Sequence, residues 1–422
     1  MRQKKFWFAV SSIVAVLALG LMVPVGAGAA SKYKVLYKFK GGADGAFPIG
    51  DLIFDTAGNL YGTTGWGGDL SCNSGNGCGT VFELTPSSKG WTETNLYAFQ
   101  GGNDGQQPNG GVVFDTAGNL YGTTFYGGAY GGGTVFKLAP NSDGSWTESV
   151  LYSFCSSTNC PDGAYPQGGL ILDVAGNVYG TTADGGIYLY GTVFELMPNS
   201  EGGWTESVLH SFGNTGDGAI PFDTLIFDAA GNLYGTTYWG PQSQSYLGPG
   251  TVFKLAPNSD GSWKESLLHI FGGRADGTHP NAGVIFDKMG NLYSTTVLGG
   301  PADAGTVFKL TPRSGGGWME SVLHRFKHNP GAEPYAGLTF DTVGNLYGTT
   351  FLGGPADAGT VFKLTARSGG GWAYSVLHVF QRTPALHPLA GLILDKAGNL
   401  YGTANFCDSG IDCQGVVFEI TP

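Results

Sequence analysis

Carboxylates are the chain's most abundant candidates for chemistry, with 32 Asp and Glu against 21 Lys and Arg in 422 residues. Seven of them, Asp55, Asp115, Asp173, Asp228, Asp287, Asp341 and Asp395, each precede a Gly-Asn-Leu/Val-Tyr segment. Seven symmetric copies argue against acid–base catalysis and for Asx-type turns, in which the carboxylate accepts backbone N–H groups. Asp51 and Asp223 depart from the small residues found at the equivalent places of other copies, and Asn109, Gln167 and Asn281 lie close by in equivalent segments. Acidic and amide oxygens together can hold a cation or a sugar hydroxyl; solvated loop positions are the plain alternative.

Imidazoles and thiols are more restricted. His210, His269, His324 and His378 take the place held by Tyr97 and Tyr152 in other copies, one repeat apart, so they cannot converge on one metal. No Gly-x-Ser-x-Gly or His-Glu-x-x-His run occurs, and with it goes the local signature of those hydrolases. Asp-Gly followed by Pro recurs at Asp44, Asp104, Asp162, Asp217 and Asp276 without EF-hand spacing. A repeated turn explains it, and calcium is the one cofactor left open. The six cysteines form close pairs, Cys72 with Cys78, Cys155 with Cys160 and Cys407 with Cys413, which read as loop-pinning disulfides of an exported chain.

Aromatic rings supply the remaining candidates. Trp66, Phe125, Tyr126, Tyr188, Tyr190, Tyr238 and Trp239 fall in segments that differ from copy to copy, among Gly, Asn and Gln. Rigid rings in such a setting stack on sugars or grip peptides at little entropic cost; packing on neighbouring loops is the competing role. Two later copies carry Leu-Gly-Gly-Pro-Ala-Asp-Ala-Gly instead, leaving that sector bland.

These residues are positioned by a repeat. Gly-Asn followed by Leu/Val-Tyr occurs at Asn59, Asn119, Asn177, Asn232, Asn291, Asn345 and Asn399, at spacings of 54 to 60 residues. Each unit holds four short apolar runs, here A to D; in the second copy they are Val112–Asp115, Asn119–Thr124, Gly133–Leu138 and Trp146–Phe154. Runs this short, rich in Val, Phe, Tyr, Thr and Trp and split by Asp-x-x-Gly-Asn and Asn-Ser-Asp-Gly turns, are strands. Four antiparallel strands at this period predict propeller blades. A lone D-like run, Lys34–Phe39, precedes the first A strand, and the last unit stops after its C strand, Val416–Ile420. The reading is therefore an all-β, seven-bladed β-propeller over residues 31–422, with repeats beginning near 47, 107, 165, 220, 279, 333 and 387. The N-terminal strand closes the last blade, and closure protects the sheet edges. Trp91, Trp146, Trp204, Trp263, Trp318 and Trp372 open the D strands and are expected to cover the rim between blades.

Residues 1–30 read as a signal peptide: Arg2, Lys4 and Lys5, an apolar run from Phe6 to Val25, then small residues at Ala27–Ala30; the rival reading is an uncleaved N-terminal anchor, since the run is nearly long enough to span a bilayer. Removal of the peptide takes the net charge from −11 to about −14, which disfavours nucleic acid and anionic membrane surfaces as partners. No later stretch is apolar enough to span a membrane, so the mature protein is expected to be secreted or periplasmic.

The units Gly-Asn-Leu-Tyr-Gly-Thr-Thr and Gly-Thr-Val-Phe-Lys-Leu-Thr/Ala-Pro resemble the bacterial GloVer tandem repeat over nearly the whole mature chain. The Asp-x-x-Gly-Asn-Leu-Tyr hairpin is similar to those of NHL-type and sensor-kinase propeller repeats. The resemblance implies export and a propeller rather than an activity. Function is expected where the repeats differ: a non-catalytic binding or scaffold role toward a glycan or extracytoplasmic protein, the alternative being a carbohydrate-active hydrolase, lyase or lactonase at the channel mouth around Asp51 and Asp223.

Overall fold

The computed structural model describes residues 31–214, 216–243, 246–381, 385–406 and 413–422. The expected signal peptide (1–30) and Cys407 lie outside the described residues. Residues 31–422 form one compact unit, an all-β ring of seven four-stranded antiparallel sheets. In blade 2 the strands are Val113–Phe114, Leu120–Thr124, Thr134–Pro140 and Trp146–Ser153, paired in sequence order. The seventh sheet joins Ile393–Leu394, Leu400–Ala404 and Val416–Thr421 to the N-terminal strand Lys32–Lys38, with Lys34 opposite Glu419 and Val35 opposite Phe418. An additional ribbon, Gly240–Ser243 with Tyr246–Gly248, decorates the B–C loop of blade 4.

The core lies between blades. Seven apolar clusters each draw residues from two neighbouring blades. In every seam the buried Phe of strand C meets, edge to face, the Phe that ends strand D of the preceding blade: Phe82 on Phe39, Phe136 on Phe99 and so on to Phe418 on Phe380, at 5.0–5.3 Å. Such pairs add about 0.5–1.5 kcal/mol to what burial alone contributes. The glycine of Leu-Tyr-Gly-Thr-Thr makes room for that ring, since a Cβ on Gly122 would stand 2.5 Å from Phe136 Cζ. The D-strand tryptophans close the outside of the seams, as Trp91 against Tyr401, Trp204 against Tyr121 and Trp372 against Tyr293.

The repeated Asp is a turn residue. In the first blade Asp55 accepts N–H bonds from Ala57 and Asn59, the Asn59 side-chain amide and the Tyr61 hydroxyl, and the other six copies do the same. Asp, Asn and Tyr of the repeat are thus one hydrogen-bonded unit at the A–B end. Cys72–Cys78 and Cys155–Cys160 are disulfide-bonded, as is Cys413. No helix among the described residues is long and apolar enough to cross a membrane.

Candidate functional site

At the other end of the ring each D–A connector bridges to the B–C loop of its own blade, pairing Ala46 with Trp66, Gln106 with Tyr126 and Ala219 with Trp239. The next connector residue is left-handed in all seven blades: Phe47, Gln107, Tyr165, Ile220, His279, Glu333 and His387 have φ of 55–60°. Side chains with a Cβ avoid this region, and it is held here by context. The N–H of Phe47 donates to the Gln414 carbonyl of the preceding blade at 2.8 Å, and its own carbonyl accepts the Gly65 N–H at 2.9 Å. The other six copies repeat this clamp.

A proline follows each of them, and the residue after the proline turns to the axis. Ile49, Asn109, Gln167, Phe222, Asn281, Tyr335 and Leu389 line a cavity of about 380 Å³, together with the Gly and Ala residues that open the A strands. Small residues are required there: a Cβ on Gly110 would lie 2.6 Å from the Gly168 carbonyl oxygen. Asp51 and Asp223 line the same cavity. Asp51 Oδ1 accepts the Gly391 N–H, and Asp223 accepts those of Thr224 and Gly283, all at 2.6 Å. Asp51 opens onto the cavity, but the cavity is walled by blades. That desolvation, and secondly the Asp223 charge, push Asp51 up to about 6 against the pull of the Gly391 N–H. Burial likewise raises Asp223, opposed by its N–H donors. The lining carries no Lys, Arg or His. The carboxylates with Asn109, Gln167 and Asn281 form the oxygen-rich surface able to contact a cation or hydroxyls; among the described residues no group of three or more His, Cys, Asp or Glu is placed to hold a metal.

Rings surround this cavity. Trp66 meets Phe47, which meets Phe406, at 6.0 and 5.0 Å. Phe125, Tyr126 and Tyr165 form a triangle with centroids 4.5–5.5 Å apart. Tyr238 and Trp239 both pack on His279, and Tyr238 also on the cavity-lining Phe222 at 5.4 Å. In the sector whose B–C loops looked bland, Phe351 bridges the lining Tyr335 and His387. Tyr188 is half exposed beside Ile187, Pro161 and His210 at a separate outer cavity, away from the axis. Tyr190 packs into the seam between blades 3 and 4. The aromatic residues expected from sequence therefore divide: Trp66, Phe125, Tyr126, Tyr238 and Trp239 form a collar of rings packed on the connectors that carry the lining residues, whereas Tyr188 and Tyr190 stand apart.

The comparisons with known proteins fit this architecture. The Gloeobacter/Verrucomicrobia repeat matches residues 28–247 and 241–422. The chain belongs to that repeat family. No curated protein sequence matches this member of the family. Among solved structures, it is similar to a fungal alcohol oxidase of the AA5 family in complex with copper, at 13% identity and a TM-score of 0.53, covering 93% of this chain and 76% of that one. A puromycin-hydrolysing peptidase from Mycobacterium tuberculosis aligns at 10% identity and a TM-score of 0.51, over 92% of this chain and 54% of that one. A protein of unknown function from Dyadobacter fermentans aligns at 12% identity and a TM-score of 0.43, over 93% and 99%. At such identities the likeness concerns the fold alone.

Within this repeat family member, sequence reasoning missed the connector residues Phe47, Tyr165, His279 and His387 and the lining residues Ile49, Phe222, Tyr335 and Leu389. Their signal was present: one proline per connector, flanked on both sides by residues that change in every repeat.

Proposed function

We propose that this chain is an exported, non-catalytic binding propeller that takes a glycan end into the axial cavity, beneath the aromatic collar of the D–A and B–C end. One observation carries the reading. In repeats that are otherwise near copies, the residue lining the cavity is Ile, Asn, Gln, Phe, Asn, Tyr or Leu in turn. Packing would favour repetition there, as it does in the Phe pairs of the seams; a ligand with unequal faces favours variation. Amides and carboxylates suit hydroxyl groups, and Phe222, Tyr335 and the collar suit the C–H faces of a pyranose. The disulfides support a place outside the cytoplasm.

The test is a glycan array with and without calcium, comparing the wild type with a Trp66→Ala/Trp239→Ala pair and with Asn109→Ala/Gln167→Ala. Binding lost in both variants supports the mouth as the site. Binding unchanged in both removes it, and absence of any glycan binding turns the search to protein partners.

A second reading draws on Asp51, whose raised proton affinity beside Asp223 suits a general acid. It is a hydrolase, lyase or lactonase acting on a carbohydrate-derived substrate in the same cavity. Turnover lost in folded Asp51→Asn and Asp223→Asn variants would establish it; turnover unchanged in both would dismiss this site.

A further inference from the structure

The seven seams are chemically of two kinds. In five, a Glu of strand D is within electrostatic reach of the Asp of the preceding connector, Glu93 of Asp44, Glu148 of Asp104, Glu206 of Asp162, Glu265 of Asp217 and Glu320 of Asp276. Strand D also bonds that connector directly, Asn95 Nδ2 donating to the Ala43 carbonyl at 3.3 Å and Arg325 to the Ala275 carbonyl at 3.0 Å. Each Asp also accepts a hydrogen bond from an aromatic residue of its own D strand: Tyr37, Tyr97 and Tyr152 through the hydroxyl, His210 and His269 through Nε2. In each seam a connector N–H, that of Lys40, Gln100, Ser156, Gly213 or Gly272, donates to the same carboxylate. In the remaining two seams the connectors after blades 5 and 6 carry no Asp at this place, and the Glu is replaced by Tyr374 and Tyr33. Those rings stack on His324 and His378 at 4.0 and 3.9 Å, nearly parallel. Asp and Glu are thus present together or absent together across the seven copies.

One carboxyl oxygen of each of the five Glu residues is buried without a hydrogen-bond partner, as is one oxygen of the buried Asp162. Five buried acceptors facing five carboxylates would be a severe fault in a ring that closes seven times, unless a proton sits between them. We propose that these five seams are proton-operated latches, in which the protonated Glu donates to the Asp carboxylate and so ties each connector to the next blade. Raising the pH releases the proton to solvent and leaves two anions face to face. Each latched Asp lies three residues before the left-handed clamp, as Asp44 before Phe47, so the latch holds the connectors that form the mouth.

The charged and titratable groups facing each Glu are few. Glu93, Glu148 and Glu206 face Asp44 with Tyr37, Asp104 with Tyr97, and Asp162 with Tyr152. Glu265 faces His210 and Asp217, and Glu320 faces Asp276 and Arg325. Burial first and the facing Asp second raise Glu93, Glu148, Glu206 and Glu320 from 4.5 to about 7. A raised folded-state value means the contribution is complete below 4.5 and is lost as pH rises to about 7.

Amide hydrogen exchange on the whole mature chain tests this, because the N–H groups of Lys40, Gln100, Ser156, Gly213 and Gly272 report the five latches, and those of Glu333 and His387, which donate to the Ala304 and Ala358 carbonyls, report the two seams that lack them. After correction for the chemical exchange rate, the reporters of the Glu93, Glu148, Glu206 and Glu320 seams should open about tenfold more often per pH unit between about 4.5 and 7, Gly213 in the Glu265 seam should open more often as pH rises above 4.5, and the two controls should stay level. Glu148→Gln keeps a donor to Asp104 without a titrating proton, so Gln100 alone should become level while Ser156 keeps its slope. Equal slopes at all seven connectors, or an unchanged slope at Gln100 in Glu148→Gln, would overturn the proposal. Should that variant fold poorly, Glu206→Gln read at Ser156 is the same test in the neighbouring seam.

Discussion

At the A–B end of a blade, Asp287 is given four donors: the N–H groups of Met289 and Asn291, the Asn291 amide and the Tyr293 hydroxyl. On strand D of blade 2, Glu148 is given none for one of its oxygens, and has the charge of Asp104 nearby. Partial burial works against both charges. At Asp115, Asp228, Asp287, Asp341 and Asp395 the side-chain and backbone donors outweigh it and hold the carboxyl below its ordinary value. At the seam Glu residues nothing outweighs it. The same functional group, repeated around the same ring, is tuned in opposite directions by its neighbours, so the turn carboxylates are sensitive to acid and the five Glu-bearing seams to base.

The sharpest way to break this contrast is to delete a turn carboxylate. Asp287→Ala strands three N–H groups and a hydroxyl and should lower the unfolding free energy by about 2–3 kcal/mol at pH 7 in urea titration. A loss below about 0.5 kcal/mol would mean that the turn is held by its backbone alone. Next in size is the pH profile of thermal unfolding. The turn residues, with depressed values, contribute above their unfolded value and fail as pH falls through the folded one; the seams contribute most below 4.5 and fade by about 7. The melting temperature should therefore peak on the acid side, at about pH 4.5, and a maximum above pH 8 would contradict the assignment of the seams. Glu148→Gln should raise stability at pH 8 by at most about 1 kcal/mol, discounted because Glu148 is partly open to solvent, and should do nothing at pH 4. Smallest is His378→Phe, which preserves a ring against Tyr33. Burial already holds His378 near 4, in its neutral form, through most of the range, so the change should stay within about 0.5 kcal/mol at any pH from 5 to 8; a pH-dependent change would show a charge in a seam described here as neutral.

The cavity end and the turn end differ in the same way. Asp-x-x-Gly-Asn-Leu-Tyr is repeated because its bonds are local and complete in themselves. The residues on either side of each connector proline are free to vary because a backbone clamp, rather than the side chain, holds them: Ile220 and Glu333 adopt the same left-handed geometry as His279. Trp66 and Trp239 were visible as candidates because they interrupt a glycine-rich loop. Phe222 and Tyr335 were marked only by their variation beside the connector proline; that the residue after the proline points at the axis is set by the ring.

Sequence alone determined the number of blades, their four strands, the closing role of Lys34–Phe39 and the structural role of the seven turn carboxylates. Each of these follows from periodicity and short-range hydrogen bonding, which a linear chain displays directly. Only the tertiary structure decided which variable residues meet. Asp51 and Asp223 are 172 positions apart by their numbers, and each seam Glu is paired with an Asp 44 to 49 residues earlier in the chain. Ring closure sets both proximities: it brings blades 1 and 4 to one axis and presses each D strand onto the connector of the blade before it. Once there, burial and the lack of donors change what the carboxyl group does.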